Sequence, residues 1–329
     1  MFSIVFSDIM DPQKIEDLRR NAKEEISIRG YDISRVKINP DLKNKAWFLP
    51  VNEIISSYCL TGRYIYLKRF VPDTKIEKTW DSFKGRIIDN LFKDLYETFS
   101  AYVQGTKIKE FLVFAMLQEF GKKKLTEIKK QIDKDKKKMI SAPKEDDVSE
   151  FLEDIRNLLR LETELCSSII DHKISMKKDI NLKSEVALLF PFIFKVKINA
   201  SDLGFKEGAE PDFIYRHMAI GDIKTGEWQD FFYLTCAAYA LAYEFEHKKD
   251  IDIGVILNPI FHKQRTVPLY YNSEMVVIKD KYRKDVLLLR DKKIKLIKDQ
   301  IDPKTPKNES DCPEGCGYLN YCWGNDNGK

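Results

Sequence analysis

Apolar positions recur at helical spacing from Lys84 to Phe99, where Ile87, Ile88, Leu91, Phe92 and Leu95 share one face; this predicts an amphipathic helix. Ile15 and Leu18 mark a helical lead-in within residues 1–30, and Pro40 to Pro50 reads as a loop. Residues 107–180 keep a helical pattern almost throughout, broken near Ser141-Ala-Pro143. The texture changes after about residue 184. Val186–Ile198 is rich in apolar, β-branched and aromatic residues around Pro191. Asp212–Arg216 and Ala219–Lys224 read as short strands about a turn at His217-Met218, Ile251–Leu257 as a strand ended by Asn258-Pro259, and Glu274–Ile278 as another. Asp230–Glu246 returns to helix, with Phe231, Leu234, Ala238, Leu241 and Ala242 on one face, and Lys281–Ile301 is a basic amphipathic helix. The order predicts a helical N-terminal half feeding a compact α/β core.

The longest nearly unbroken apolar stretch, Phe231–Tyr243, has 13 residues, whereas a bilayer span needs about 20. No basic start with an apolar stretch and a small-residue cleavage site is present, which argues against secretion and for a cytoplasmic protein without a membrane partner. Net charge is only +4, but its distribution is uneven. Gly121 to Lys138 holds nine lysines against three acids, and Glu145 to Glu164 holds eight acids against two arginines. Such asymmetry fits a phosphate backbone on one side, or two solvated helix faces.

Asp212, in Gly208-Ala-Glu-Pro-Asp212-Phe, and Asp222, in Ile220-Gly-Asp222-Ile-Lys224-Thr-Gly226, carry the candidate chemistry. Residues two apart on a strand share a face, so Asp222 and Lys224 point the same way, and a hairpin would bring Asp212 beside Asp222. Two carboxylates close together call for a cation, and a hard divalent ion fits oxygen donors. Such an ion could polarise a phosphodiester while Lys224 orients water. The competing reading is an ordinary strand exit with solvated charges.

Six cysteines in an intracellular chain point to metal or redox chemistry before disulfides. Cys166 and Cys236 fall in helical patterns and read as small buried hydrophobes. Cys312, Cys316 and Cys322 crowd a tail with Gly and Pro for turning, and Cys59 is the candidate fourth ligand for a four-coordinate site. On residues alone, a four-cysteine zinc site is acceptable.

Pro211-Asp212 followed by Asp222-Ile-Lys224 resembles the PD-(D/E)XK nucleases, and more closely their RecB-like branch. The resemblance implies a small mixed sheet flanked by helices. It implies roles for Glu185, in Ser184-Glu-Val before the first core strand, and for Tyr239, the Tyr of a Gln-x-x-x-Tyr helix in which Thr235 replaces the Gln. Gly85-Arg-Ile-Ile-Asp89 stands where the family has Gly-x-x-x-His, with Asp89 in the His position. One early cysteine, a nuclease core and three late cysteines are similar to the iron–sulfur RecB-like exonucleases of CRISPR adaptation, the Cas-four family. The long helical half, Gly221-Asp-Ile-Lys-Thr-Gly226, Gly254-Val-Ile and the segment Ser57 to Leu67 around Cys59 resemble its archaeal Csa-one branch.

That resemblance implies three regions: a mostly helical 1–180 with the first cluster cysteine and a lysine-rich insertion, a nuclease core over 181–305, and a cluster-binding tail over 306–329. It implies a Mg²⁺- or Mn²⁺-dependent deoxyribonuclease with metal on Asp212, Asp222, the Ile223 carbonyl and Asp89. Lys224, Glu185 and Tyr239 would carry catalysis, and Cys59, Cys312, Cys316 and Cys322 a [4Fe–4S] cluster, with zinc the alternative. It further implies trimming of single-stranded DNA ends of new spacers and choice of their flanking motif, beside the Cas-one/Cas-two integrase. The spacing of three residues between Cys312 and Cys316 departs from the usual two. With Asp89 and Thr235 as departures, a catalytically weak DNA-recognition subunit and a metal-stapled α/β protein are the rival readings.

Overall fold

The computed structural model describes residues 12–22, 26–71, 79–105, 111–139, 142–176, 192–206, 208–216, 218–261, 269–312 and 316–324. Glu185, Pro191 and His217 lie outside the described residues. The described helices are α1 (Pro12–Ala22), α2 (Ile33–Val36), α3 (Val51–Ile55), α4 (Arg63–Phe70), α5 (Trp80–Gly105), α6 (Phe111–Asp135), α7 (Glu145–Met176), α8 (Phe232–His247), α9 (Asp280–Asp299) and α10 (Leu319–Trp323). Strands β1 (Phe192–Phe194), β2 (Phe213–Tyr215), β3 (Ala219–Ile223), β4 (Ile253–Phe261) and β5 (Leu269–Val277) form one mixed sheet in that order. All neighbours are antiparallel except β3 and β4. A parallel pair cannot be joined by a tight turn, and α8 is the crossover.

Period-2 alternation sorts the strands between two cores. Ala219, Ile223, Ile253, Val255 and Leu257 join a cluster with Phe83, Phe92 and Leu95 of α5, Leu117 of α6 and Leu158 of α7. Ile220 and Ile256 point the other way, into a cluster with Ala237, Leu241 and their neighbours on α8, Ile54 of α3 and Val286 of α9. Helices therefore cover both faces of the sheet, and α8 is buried along nearly its whole length.

Two boundaries differ from the sequence pattern. β4 does not stop at Asn258 but runs through Pro259, which pairs with Tyr271, to Phe261. β3 ends opposite Leu257, so Pro259 sits where β4 has a partner on one side only, the setting in which a strand tolerates proline. β5 starts at Leu269, earlier than Glu274, because an edge strand with one partner need not alternate strictly.

The basic helix α9 is not a solvated face. Arg283, Arg290 and Lys293 are buried. Arg290 Nη1 donates to the carbonyls of Val36 (2.8 Å) and Leu203 (2.6 Å), and Lys293 Nζ to those of Glu53 (2.8 Å) and Ser56 (2.7 Å). These side chains satisfy orphaned carbonyls at the ends of short helices that have no continuation of their own. Arg283 instead forms a bidentate pair with Glu244 (2.6 and 3.0 Å), which also takes Arg29 (2.9 Å) and the Gly30 N–H (2.8 Å). Among the described residues no helix is long and apolar enough to cross a membrane.

Candidate active site

The β2–β3 hairpin pairs Phe213 with Gly221 and Ile214 with Ile220, so one step outward Asp212 lies beside Asp222. Gly221 is required by the pairing itself, since a Cβ there would stand 2.0 Å from the Phe213 ring. Asp212 Oδ2 accepts the Ile223 N–H at 2.7 Å, while its Oδ1 pairs with Lys195 just beyond β1. Lys224 is fixed at the strand exit by its N–H, which donates to Leu257 O at 2.8 Å. Its Nζ lies 2.6 Å from Asp222 Oδ2 and 5.2 Å from the centre of the Phe232 ring.

Helix α5 adds the third carboxylate. Gly85 lets the helix pass close to the same strand exit, where an added Cβ would be 2.8 Å from Thr225 Oγ1. One turn later Asp89 reaches the pair. Burial, then the charges of Asp212 and Asp222, push the Asp89 carboxyl well above the usual carboxylate range. Burial also raises Asp222, offset in part by Lys224 and reinforced by Asp212. Burial works to lower Lys224, but Asp222, Asp212 and Asp89 outweigh it and leave the ammonium firmly protonated. Lys224 Nζ thus sits on the solvent-shielded Oδ2 of Asp222 and is the charge that offsets part of its burial.

Tyr239, on α8, faces this cluster: burial, then Asp222 and Asp212, push its phenol well above the ordinary value. Thr235, one turn earlier, is buried. Both line a cleft of about 320 Å³ together with Lys224, Tyr58, Phe231 and Glu53. Thus Asp89, Asp212, Asp222, Ile223, Lys224 and Tyr239 meet at one end of the sheet, whereas Glu185 lies outside the described residues. Sequence reasoning missed Lys195, which belongs to no motif and follows the Phe-Ile-Phe strand with a left-handed φ of 49°. It also missed the wall at residues 52–64, whose link to the cleft depends on packing between distant segments.

Cys59 sits before α4, and its Sγ is 3.7 Å from Thr61 Oγ1. Burial alone would raise its pKa, but the N–H of Tyr64, the Thr61 hydroxyl and the N–H groups of Gly62 and Arg63 carry it below the ordinary thiol value. Cys316 and Cys322 are raised, first by burial; Cys59 adds to both, Cys312 to Cys316, and Cys316 to Cys322, while Arg63 opposes the rise at Cys322. The four thiols therefore share one neighbourhood. Arg63 ties it together, donating to both oxygens of Asp302 (2.9 Å each) and to Thr305 Oγ1 (2.7 Å). Cys166 and Cys236 are buried away from it, as small core residues. Among the described residues, no three His, Cys, Asp or Glu side chains are placed so that they could hold a metal ion. At the acid cluster Lys195 and Lys224 pair with two of the carboxylates.

The family model described as CRISPR-associated exonuclease Csa1 matches residues 5–325. The chain belongs to this family. Its resemblance to the Csa-one branch is thereby borne out at family level. The CRISPR-associated exonuclease Csa1 of Saccharolobus solfataricus is 26% identical to the chain over 160 residues, 49% of this chain and 53% of that relative. The chain thus spans about half the length of the curated relative it matches.

Proposed function

We propose that the protein is a divalent-metal-dependent DNA exonuclease of CRISPR adaptation, trimming single-stranded ends of new spacers beside the Cas-one/Cas-two integrase and helping choose their flanking motif. The observation that carries the reading is the convergence of Asp89, Asp212, Asp222 and Lys224 from three chain segments at one buried end of the sheet, in a member of an exonuclease family. Three carboxylates crowded at a buried end of the sheet, where burial and then Asp212 and Asp222 raise Asp89, fit an oxygen-seeking cation. Asp212 and Asp222 would hold Mg²⁺ or Mn²⁺, with the Ile223 carbonyl and Asp89 as further donors and Glu185 as an additional acid. When bound, the ion supplies Lewis acidity at the phosphodiester. Lys224, protonated and aimed by its pairing with Asp222, orients the attacking water. Tyr239 offers a hydroxyl to a phosphate oxygen.

The four thiols fit a thiophilic metal group, because Cys59 is held toward thiolate while burial and its neighbours disfavour bare charge at Cys316 and Cys322. We read it as a [4Fe–4S] cluster, with zinc the alternative, that joins the tail over 306–329 to the helical region over 1–180 and the core over 181–305. The exposed lysines of α6, among them Lys122, Lys123, Lys129 and Lys130, would meet DNA phosphates.

A second reading, a DNA-recognition subunit with weak catalysis, is favoured by Thr235 and by the Lys195 ammonium on Asp212. Cleavage of labelled single- and double-stranded DNA with Mn²⁺ and with EDTA decides between them. In the first reading Asp222→Ala abolishes cleavage, and Lys224→Ala lowers it roughly 100- to 10,000-fold with metal binding retained. Binding without cleavage by the unaltered protein supports the second. Equal cleavage by Lys224→Ala refutes the catalytic assignment.

A further inference from the structure

We propose that a cleft between α6 and α7 docks an acidic segment of a partner protein, which inserts one leucine- or phenylalanine-sized side chain between flanking carboxylates. This cleft shares no lining residue with the one beside Lys224, and the proposal does not depend on the nuclease reading.

The cleft holds about 320 Å³. Leu117, Leu125 and Leu159 give it an apolar wall, and Phe114 at its rim is 37% exposed. Gly121 opens it. In the interior of a 25-residue helix, glycine is disfavoured more than any residue but proline. Nothing in the packing demands it here, for an added Cβ would meet only Leu159, at 3.8 Å, an ordinary contact. Helix α6 therefore gives up stability at a point where a side chain would begin to fill the hollow. A local rule broken with no return inside the chain marks a place that serves something outside it.

The charges show what the occupant carries. Glu145 to Glu164, the acid-rich part of α7, holds eight acids and two arginines. Those two, Arg156 and Arg160, stand one turn apart on one face, and both line this cleft with Lys122 of α6. No acid is among the lining residues. Like charges four apart on a helix repel. Glu153 pairs with Arg156, whereas Arg160 and Lys122 have no ion-pair partner among the described residues. An apolar hollow under three cations, on a helix otherwise acidic, is complementary to a bulky apolar side chain set between carboxylates. A single anchor seated in such a pocket can carry most of an interface's affinity, while the charges steer and select. Aliphatic walls give a nucleobase little to stack on, which favours a protein segment over DNA.

The labelled peptide Asp-Glu-X-Asp-Glu, with X leucine, phenylalanine or alanine, and its neutral Asn-Gln-X-Asn-Gln counterpart test this by fluorescence anisotropy with the full chain. The acidic leucine or phenylalanine peptide should bind, and the alanine and neutral forms should bind at least about tenfold more weakly. Lys122 also belongs to the lysine face offered to DNA, so the variants are made at Gly121 and Arg160. Gly121→Leu fills the hollow and should weaken binding about tenfold or more; Arg160→Ala, at an exposed position that spares the fold, should weaken it about fivefold. Gly121→Ala should raise Tm by about 1 °C, and a fall instead returns the glycine to packing and counts against the site. No binding of either apolar acidic peptide at about 1 mM, equal binding of the alanine or neutral forms, or binding unchanged in both Gly121→Leu and Arg160→Ala overturns the proposal. So does a dimer, seen by sedimentation, that Gly121→Leu dissociates, since the occupant is then a second copy of the chain. Single-stranded DNA affinity that falls in Gly121→Leu as far as peptide affinity does overturns it too, in favour of DNA.

Discussion

Gly221→Ala should damage the site without touching a charged group. The new methyl would lie 2.0 Å from Phe213 Cζ and 2.1 Å from its Cε2, against about 3.5–4.0 Å for carbon atoms at rest. The ring cannot swing aside. It is 1% exposed and wedged by Phe192 and Phe194, whose centroids are 5.7 and 6.1 Å away. The overlap of about 1.5 Å must be taken up by separating β2 from β3, and overpacking of this kind costs about 1–3 kcal/mol, occasionally more; we expect about 3 kcal/mol. Unfolding releases about 2.1 cal/mol/K per residue near 60 °C, or about 0.7 kcal/mol/K here, so Tm should fall by about 4 °C. Asp212 and Asp222 directly flank this contact, so nuclease activity should fall further than stability does. The decisive assay is a double-mutant cycle with Phe213→Leu, read by urea denaturation. Removing the ring makes room for the methyl, so the double variant should be more stable than the sum of the single losses by at least about 1.5 kcal/mol. Strictly additive losses would falsify the claim that the glycine exists for the ring.

Other expectations follow from buried and bridging groups. Glu162 is 1% exposed and accepts the hydroxyls of Tyr96 (2.6 Å) and Tyr271, yet burial still raises its pKa above 4.5. The folded state thus holds this proton more tightly than the unfolded chain, and the stability it gives is full below about pH 4.5 and lost as pH rises through the folded pKa. Glu162→Gln should therefore gain Tm relative to the parent between pH 5 and pH 8, and a constant difference across that range would count against it. Arg63→Ala removes a bidentate pair whose Asp302 partner is 40% exposed, so the loss should be only about 1 kcal/mol. Proteolysis after residue 300 should then quicken about fivefold, a change read on gels. If the thiol site holds iron and sulfur, anaerobic protein should be brown, Cys322→Ala should bleach it, and Cys166→Ala and Cys236→Ala should not. Colourless protein with stoichiometric zinc by metal analysis points to the alternative.

Asp212, Asp222 and Lys224 were legible in the sequence because one short hairpin and one strand face bring them together, and period-2 logic needs nothing else. Asp89 was legible only through its spacing from Gly85. Lys195 escaped because a lysine after three apolar residues carries no distinguishing pattern. The burial of Arg283, Arg290 and Lys293 escaped for a different reason. Their partners are a distant carboxylate and backbone carbonyls, and helical periodicity sees neither. Pro259 misled in the usual way, since a proline reads as a strand stop until it is known that the neighbouring strand has already ended. Tyr58 falls in a connection and Glu53 in a short helix with nothing to mark either, and only the fold sets them beside Phe231 and Lys224.

The bonds from Arg63 to Asp302 and from Lys293 to Glu53 join residues 239 and 240 positions apart. A chain leaving the ribosome has made the 51–70 segment long before either partner exists. Until α9 emerges, the carbonyls of Glu53 and Ser56 lack Lys293, and until residues 312–322 follow, Cys59 is without the three late cysteines. The hairpin with Asp212 and Asp222 can form earlier, from contiguous sequence. The wall of the cleft over residues 52–64 is thus synthesised early and fixed late, after the hairpin that carries Asp212 and Asp222.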